Sequence, residues 1–307
     1  MNSKLKGHAA MFGANVMWGL MAPVVKVVIG AGVILPLVMT DFRIFGAALL
    51  FWIASCFMPH EHVPARDKLT LFLASLFGIM FNQGCYVFGV GLTSPGEAAV
   101  VTTTMPLWVM ILAALVLKEP VTLKKAGGIA VGAAGTVMLV LSGNSVAATG
   151  DNHVAGDVIV LLAQLSTAIY LTFYKNFIQK YSVITLMKWM FTFASLTLLP
   201  FSVMALARTD WGAMTMTEIS GVAYVVLCGT FICYILYMVG QKNLRPTVVG
   251  MYNYVQPVVA CCVAVFAGLE VFTVFKAVAI VLIFAGVYLV VISKSRASIE
   301  SDLLNKG

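Results

Sequence analysis

Charge is scarce in this chain of 307 residues: 10% are Asp, Glu, Lys or Arg, against 61% apolar. A soluble domain carries about 25% charged residues, so this chain has too little polar surface to face water on every side. Carboxylates are the scarcer sign, 12 Asp and Glu against 19 Lys and Arg. Asp41, Glu97, Glu119 and Glu270 all stand near the ends of apolar runs, none at a centre. A carrier that trades protons for organic cations needs a deep carboxylate, so a permanent cation is not the expected cargo. Histidine is rare, and His60-Glu61-His62 reads as a solvated turn. The six cysteines (Cys56, Cys85, Cys228, Cys233, Cys261, Cys262) lie inside apolar runs without a CxxC spacing, so neither a metal site, a cofactor nor a disulfide framework is expected. Long polar stretches are missing too, which leaves no room for a soluble catalytic domain. Asp-rich diphosphate motifs, HExxH and buried Ser/His or Asp pairs are absent, so the chain is not expected to be an enzyme.

What is present is a series of ten charge-free runs: 7–25, 44–60, 69–96, 98–117, 126–150, 158–174, 189–207, 219–241, 246–269 and 277–293. A helix crossing ~30 Å of hydrocarbon needs ~17–25 such residues. These runs are continuously apolar rather than alternating, which excludes a β-barrel. The expected fold is an all-α integral membrane protein of ten transmembrane helices, embedded in the lipid bilayer. The first span is longer than a signal-peptide core, and no small-x-small cleavage site follows it, so a cleaved leader is not expected. The basic excess of +7 invites a nucleic-acid reading, but loop sidedness explains it better. With the N-terminus inside, cytoplasmic loops hold fifteen Lys and Arg and external ones only Lys26, Arg43, Arg208 and Lys276. That bias predicts an inner-membrane protein with both termini cytoplasmic and no nucleic-acid partner.

The chain also repeats itself. Adding 151 carries Pro95 to Pro246, Pro106 to Pro257, Glu119 to Glu270, Thr122 to Thr273, Lys125 to Lys276, Gly135 to Gly286 and Ser142 to Ser293. Upstream the offset is 149, from Gly7 to Gly156 and from Lys26 to Lys175, and a weaker match at 145 takes Arg43 to Lys188. The reading is two five-span units, 7–142 and 156–293, joined by 143–155 and followed by a tail, 294–307. Five is odd, so the second unit enters the membrane from the opposite side. Inverted repeats of this kind build many secondary transporters, with the binding site near the midplane between the units.

These residues resemble the EamA-type drug/metabolite transporters, ten-helix bacterial carriers made of two five-helix units. The marks are Trp18-Gly19, Pro23, Lys26 and Arg43, then Gly91-Leu92-Thr93-Ser94-Pro95-Gly96-Glu97-Ala98, Pro106 and Leu117-Lys118-Glu119-Pro120-Val121-Thr122. The second half answers with Asn243-Leu244-Arg245-Pro246-Thr247, Pro257 and Gly268-Leu269-Glu270, but has Thr167-Ala168 in place of Trp18-Gly19. The resemblance implies export or exchange of a small molecule, such as an amino acid or a drug. With no deep carboxylate, a neutral or zwitterionic metabolite is the expected substrate. A phosphorylated-sugar or nucleotide-sugar exchanger, or a multidrug exporter, is the alternative.

Candidate cavity residues are the uncharged polar side chains at membrane depth. They are Asn15 and Trp18 in span one, Asn82, Gln83 and Tyr86 in span three, Thr102 in span four, Gln164 and Tyr170 in span six, and Tyr252, Asn253 and Gln256 in span nine. Each alone also fits interhelical glue. Pro106 and Pro257 lie mid-span and read as kinks beside the cavity. Arg43 and Lys188 are candidate gating or coupling charges, and Glu97 is either a proton carrier or part of a capping box with Ser94. Spans five and ten, rich in small residues, read as peripheral, packing on other helices or on a second subunit. A monomer or a homodimer fits equally.

Overall fold

The computed structural model describes residues 3–93, 95–142, 153–266 and 271–294, and those residues form helices and turns without strands. Spans one and two are continuous, α1 (Ser3–Gly30) and α2 (Pro36–Cys56). Span three consists of α3 (Ala65–Ser75), a π-turn at Leu76–Met80 and α4 (Phe81–Leu92). Span four is broken into α5 (Pro95–Thr102) and α6 (Met105–Val116), and span five is α7 (Leu123–Leu141). The second unit repeats the plan. Spans six and seven are α8 (His153–Phe173) and α9 (Val183–Arg208), and span eight is α10 (Met216–Val226), a π-turn at Leu227–Ile232 and α11 (Cys233–Asn243). Span nine is α12 (Pro246–Met251), a 3-10 turn at Tyr252–Tyr254 and α13 (Val255–Phe266), followed by α14 (Val274–Val291).

Nine helices among the described residues are long and apolar enough to cross a membrane. The tenth span, 246–266, is not among them; its helix is interrupted at Tyr252–Tyr254. The prolines explain the breaks only in part. Pro106 is the second residue of α6 and Pro257 the third of α13, so each stands at the start of a new helix rather than kinking a continuous one. In span four the hydroxyls of Thr102, Thr103 and Thr104 each donate to the carbonyl three residues back at 2.7 Å, which competes with helical bonding just before the proline.

Thr122 and Thr273 cap the N-termini of α7 and α14, accepting from the amides of Lys125 (3.2 Å) and Lys276 (3.3 Å). These two helices pack on each other. A Cβ on Gly286 would stand 2.6 Å from the Gly132 amide nitrogen, and one on Gly128 would stand 2.8 Å from the Gly286 carbonyl oxygen. Only glycine permits that approach, and in lipid close packing replaces the missing hydrophobic drive between helices.

The remaining spans exchange partners between units. α1 packs on α11 and α13, α8 packs on α4, α5 and α6, and α2 pairs with α9. Gly7 lies against Asn243 and Leu244, and Gly156 lies against Thr93, which are repeat-related contacts at opposite ends of the bundle. Two mixed bodies result, spans one, eight and nine on one side and spans six, three and four on the other.

Candidate functional site

Two hydrogen bonds join a residue of one unit to its own repeat partner in the other. Gln83 donates through Nε2 to the Tyr234 hydroxyl at 3.2 Å, and the Tyr254 hydroxyl donates to the Thr103 carbonyl at 2.8 Å; both pairs are 151 residues apart. The candidate site is built around this centre.

The π-turn at Leu227–Ile232 supplies one wall. Its extra residue frees backbone carbonyls from the helical ladder, and the indole N–H of Trp18 donates to one of them, that of Gly229, at 3.1 Å. Thr230, in the same turn, donates to the Val225 carbonyl five residues back and accepts from Arg43 Nε at 3.3 Å. Arg43 is half-buried, faces Tyr234 and Cys233, and has no carboxylate partner among the described residues. Tyr234, which faces this cation, belongs to an aromatic cluster. Trp18 meets Tyr234 and Tyr237 edge-on with centroids 5.6 and 5.1 Å apart, and Phe191 meets Tyr234 at 4.9 Å. Phe51 packs on Phe231 at 4.7 Å. The Gln83 carbonyl oxygen is buried and unpaired. A guanidinium lacking a counter-ion, a free amide oxygen and π faces together suit a small solute with a carboxylate and an apolar body.

The sequence candidates divide between this centre and the surrounding scaffold. Trp18, Gln83 and Arg43 meet at the centre. Asn15 is fully buried, and its side-chain oxygen accepts from Gln256 Nε2 at 2.8 Å, while Gln256 also donates to Asn253 at 3.0 Å. This amide chain fastens span one to span nine inside one body. Asn82 donates to Thr167 at 2.6 Å, fastening span three to span six inside the other. Tyr86, one turn further, is 41% exposed, and Asn82 is itself only half-buried. Tyr252 is buried and bonds His8 at 2.8 Å, and Thr102 bonds its own helix. Gln164 and Tyr170 are buried, the latter against Gly78 of the first π-turn. Lys188 lies 4.6 Å over the Trp52 ring, and Trp52 is an exposed side chain. It therefore sits at the rim of the α2–α9 pair, in surroundings unlike those of Arg43. The side chain of Glu97, together with Ser94 and Glu270, falls outside the described residues.

Span eight was missed altogether: Gly229, Thr230, Tyr234 and Tyr237 carry no signal in composition. The repeat offset could have found two of them, since 151 carries Gly78 to Gly229 and Gln83 to Tyr234.

A second cluster lines one end of the bundle. A cavity of about 640 Å³ there is lined by both units, including Lys118, Glu119, Lys175, Lys242 and Arg245. Glu119 pairs with buried Lys125 at 2.9 Å and accepts from Thr247 at 3.1 Å. Arg245 caps the end of α14 through the Ser293 and Lys294 carbonyls at 3.0 and 3.2 Å. Tyr181 donates to Asp67 at 2.6 Å, a bond that holds its hydroxyl up at about 12. Burial pulls Lys175 down to about 8, with nearby Glu119 opposing the shift.

The family model for the EamA-like transporter family matches residues 5–141 and again 154–292. The chain belongs to the EamA-like transporter family. It is similar to the transporter YetK of Bacillus subtilis, 23% identical over 95% of this chain and 87% of that one. It is similar also to the inner membrane transporter YedA of Escherichia coli, 28% identical over 93% and 90%. A solved crystal structure superposes with a TM-score of 0.78 over 95% of this chain and 99% of that one, at 18% identity, which is a likeness of fold. The protein is thus a multi-pass membrane transporter with two EamA units.

Proposed function

We propose that this EamA transporter moves a small neutral or zwitterionic metabolite, such as an amino acid, out of the cell by alternating access between two inverted repeats. The observation that carries the reading is Arg43: a half-buried cation at the meeting of both units, bonded to a hydroxyl and facing Tyr234. An uncompensated guanidinium in low dielectric costs free energy that a substrate carboxylate recovers. Gln83's free oxygen is an acceptor for the ammonium end of the same solute.

An inner-membrane setting with both termini cytoplasmic agrees with the way basic connections gather at one end of the bundle. Lys118, Lys175, Lys242 and Arg245 line one cavity, and Glu61 accepts from the Ser182 amide at 3.0 Å beside it. Exchange of a phosphorylated sugar or nucleotide sugar fits less well, because a multiply charged anion calls for several convergent cations and Lys188 is engaged over Trp52. The protein works as a monomer or homodimer in this reading, since α7 and α14 satisfy each other.

Proteoliposomes loaded with labelled zwitterionic amino acids, their methyl esters and a quaternary-ammonium drug test the proposal. Flux is expected for the free amino acids and not for the esters. A strict preference for the cation, driven by a pH gradient, would overturn it.

A further inference from the structure

The cavity at the basic end shares no lining residue with the site around Arg43, and transport through that site gives its cations no part. The first unit enters it through the end of α6 and the turn that follows, with Val116, Lys118 and Glu119, and the second through Lys175, Lys242 and Arg245. Lys175 Nζ donates to the Gln241 carbonyl and, at 2.6 Å, to the Leu244 carbonyl. Lys242 Nζ donates to the Tyr181 carbonyl, and Arg245 holds the Ser293 and Lys294 carbonyls through its two Nη groups. These partners are dipoles, so they orient the cations without cancelling their charge. The carboxylates that act on them, Glu119 and Glu61, do not balance the four. Glu119 is already paired with buried Lys125, and Glu61 accepts from the Ser182 amide.

Donors remain for a ligand. Lys118 is exposed and has no hydrogen bond or ion pair among the described residues. Lys242 makes one of the three bonds its ammonium can donate, and the Arg245 Nε–H takes no part in the bonds above. Lys118 also has a φ of 54°, the one positive φ of a non-glycine residue among the described residues. Glycine takes that left-handed conformation without cost, so the turn keeps a lysine at the expense of backbone strain, as functional sites do.

The helix surface that leads to the cavity is apolar and uncovered. Leu107, Ile111 and Leu115 stand four residues apart along α6 and are 42, 38 and 72% exposed, and the strip ends at exposed Val116 in the cavity lining. α8 packs beside α6, and its last residue, Phe173, is exposed two positions before Lys175. A soluble phosphate ester would use the cations and leave this strip idle. A phospholipid uses both, because basic pockets between transmembrane helices suit anionic headgroups while acyl chains lie on apolar helix faces. We propose that the cavity binds an anionic phospholipid, its phosphodiester held by Lys118, Lys242 and Arg245 and its acyl chains lying along α6. A lipid so placed touches both units and stabilises the folded protein by mass action.

Thermal unfolding of the full-length protein in detergent micelles tests this, with dioleoyl-phosphatidylglycerol, dioleoyl-phosphatidylcholine and inorganic phosphate as separate additions. Phosphatidylglycerol is expected to raise the unfolding temperature saturably, and neither phosphatidylcholine nor phosphate to do so. Lys118→Gly removes a cation and relieves the left-handed backbone, so without lipid it should unfold no earlier than the parent protein. Its half-effect concentration of phosphatidylglycerol is expected to rise about fivefold, the factor for roughly 1 kcal/mol per basic residue. Lys242→Gln should raise it by a similar factor; if that variant fails to assemble, Lys118→Gly decides alone. An unchanged half-effect concentration in Lys118→Gly overturns the site. Equal stabilisation by phosphatidylcholine makes the effect one of the apolar surface in general, and stabilisation by inorganic phosphate makes the cavity a soluble-anion site; either result overturns the lipid.

Discussion

Arg43 and Lys188 are basic residues early in spans two and seven, yet they live in different surroundings. Arg43 reaches the centre, against Thr230 and Tyr234. Lys188 stacks on Trp52 at an exposed rim. Trp18 and Thr167 diverge in the same way: the indole closes on a π-turn carbonyl, while Thr167 accepts from Asn82. By contrast, the parts that shape the backbone are kept in both units. Both have π-turns at 76–80 and 227–232, broken fourth spans, and threonine caps at 122 and 273. The repeat holds the scaffold and releases the side chains, so selectivity is expected to reside in the asymmetric residues and motion in the symmetric ones.

The sharpest way to break this contrast is to remove each charge. Arg43→Gln is expected to lower zwitterion flux about 100-fold, because a charge-assisted contact is worth roughly 1.5–3 kcal/mol. Lys188→Gln should stay within about twofold, because it gives up cation–π contacts with Trp52 and Trp189 and no hydrogen bond to the other unit. Equal reductions in a proteoliposome assay would restore the two as a functional pair.

A symmetric scaffold position should respond in stability instead. Gly286→Val places branched carbons where even a Cβ meets Gly132 at 2.6 Å, so α7 and α14 must separate. Overpacking of this kind costs about 1–3 kcal/mol. The variant is expected to unfold at lower temperature in detergent while the surviving folded fraction keeps its substrate preference. A changed preference with unchanged melting would place selectivity in the scaffold after all.

A smaller effect is expected at the π-turn. Trp18→Phe deletes the indole bond to Gly229 but keeps an aromatic face toward Tyr237. One neutral bond is worth about 1 kcal/mol, so apparent affinity should weaken about fivefold. Thr167→Ser, which retains the hydroxyl that accepts from Asn82, should be silent in the same titration.

How much of this was legible follows from what lipid hides. Charge marks the ends of spans because ions avoid hydrocarbon, so the spans and the repeat could be read from a few Lys, Arg, Glu and Pro positions. Proline marked the depth of the breaks at Pro106 and Pro257, although neighbouring threonines and the 3-10 turn do the interrupting. Facing was not legible. In an apolar helix both the lipid side and the core side are apolar, so nothing separated Asn82, bonded to Thr167, from Tyr86, or Arg43 on Thr230 from Lys188 over Trp52. The π-turns have no compositional mark beyond Gly78 and Gly229, which shrink to admit Tyr170 and Met21.

The finest test of the symmetric parts uses protons. Lys175 is held at about 8 when seated on the α11 carbonyls and returns toward the usual lysine value of 10.5 when released to water. Below about 8 both forms carry the proton, and pH does not shift the balance between them. Between about 8 and 10.5 the released form binds more protons, so raising pH favours the seated form. Glu119 faces Lys175 and opposes its shift, and Lys242 and Arg245 line the same cavity, so the trend requires Lys175→Gln as its control. A spin-label pair at Asn176→Cys and Asn243→Cys, with the six native cysteines replaced, should report a growing short-distance population over that window. Lys175→Gln should flatten the curve, and a pH response that survives the substitution would assign the approach of the two labels to another group.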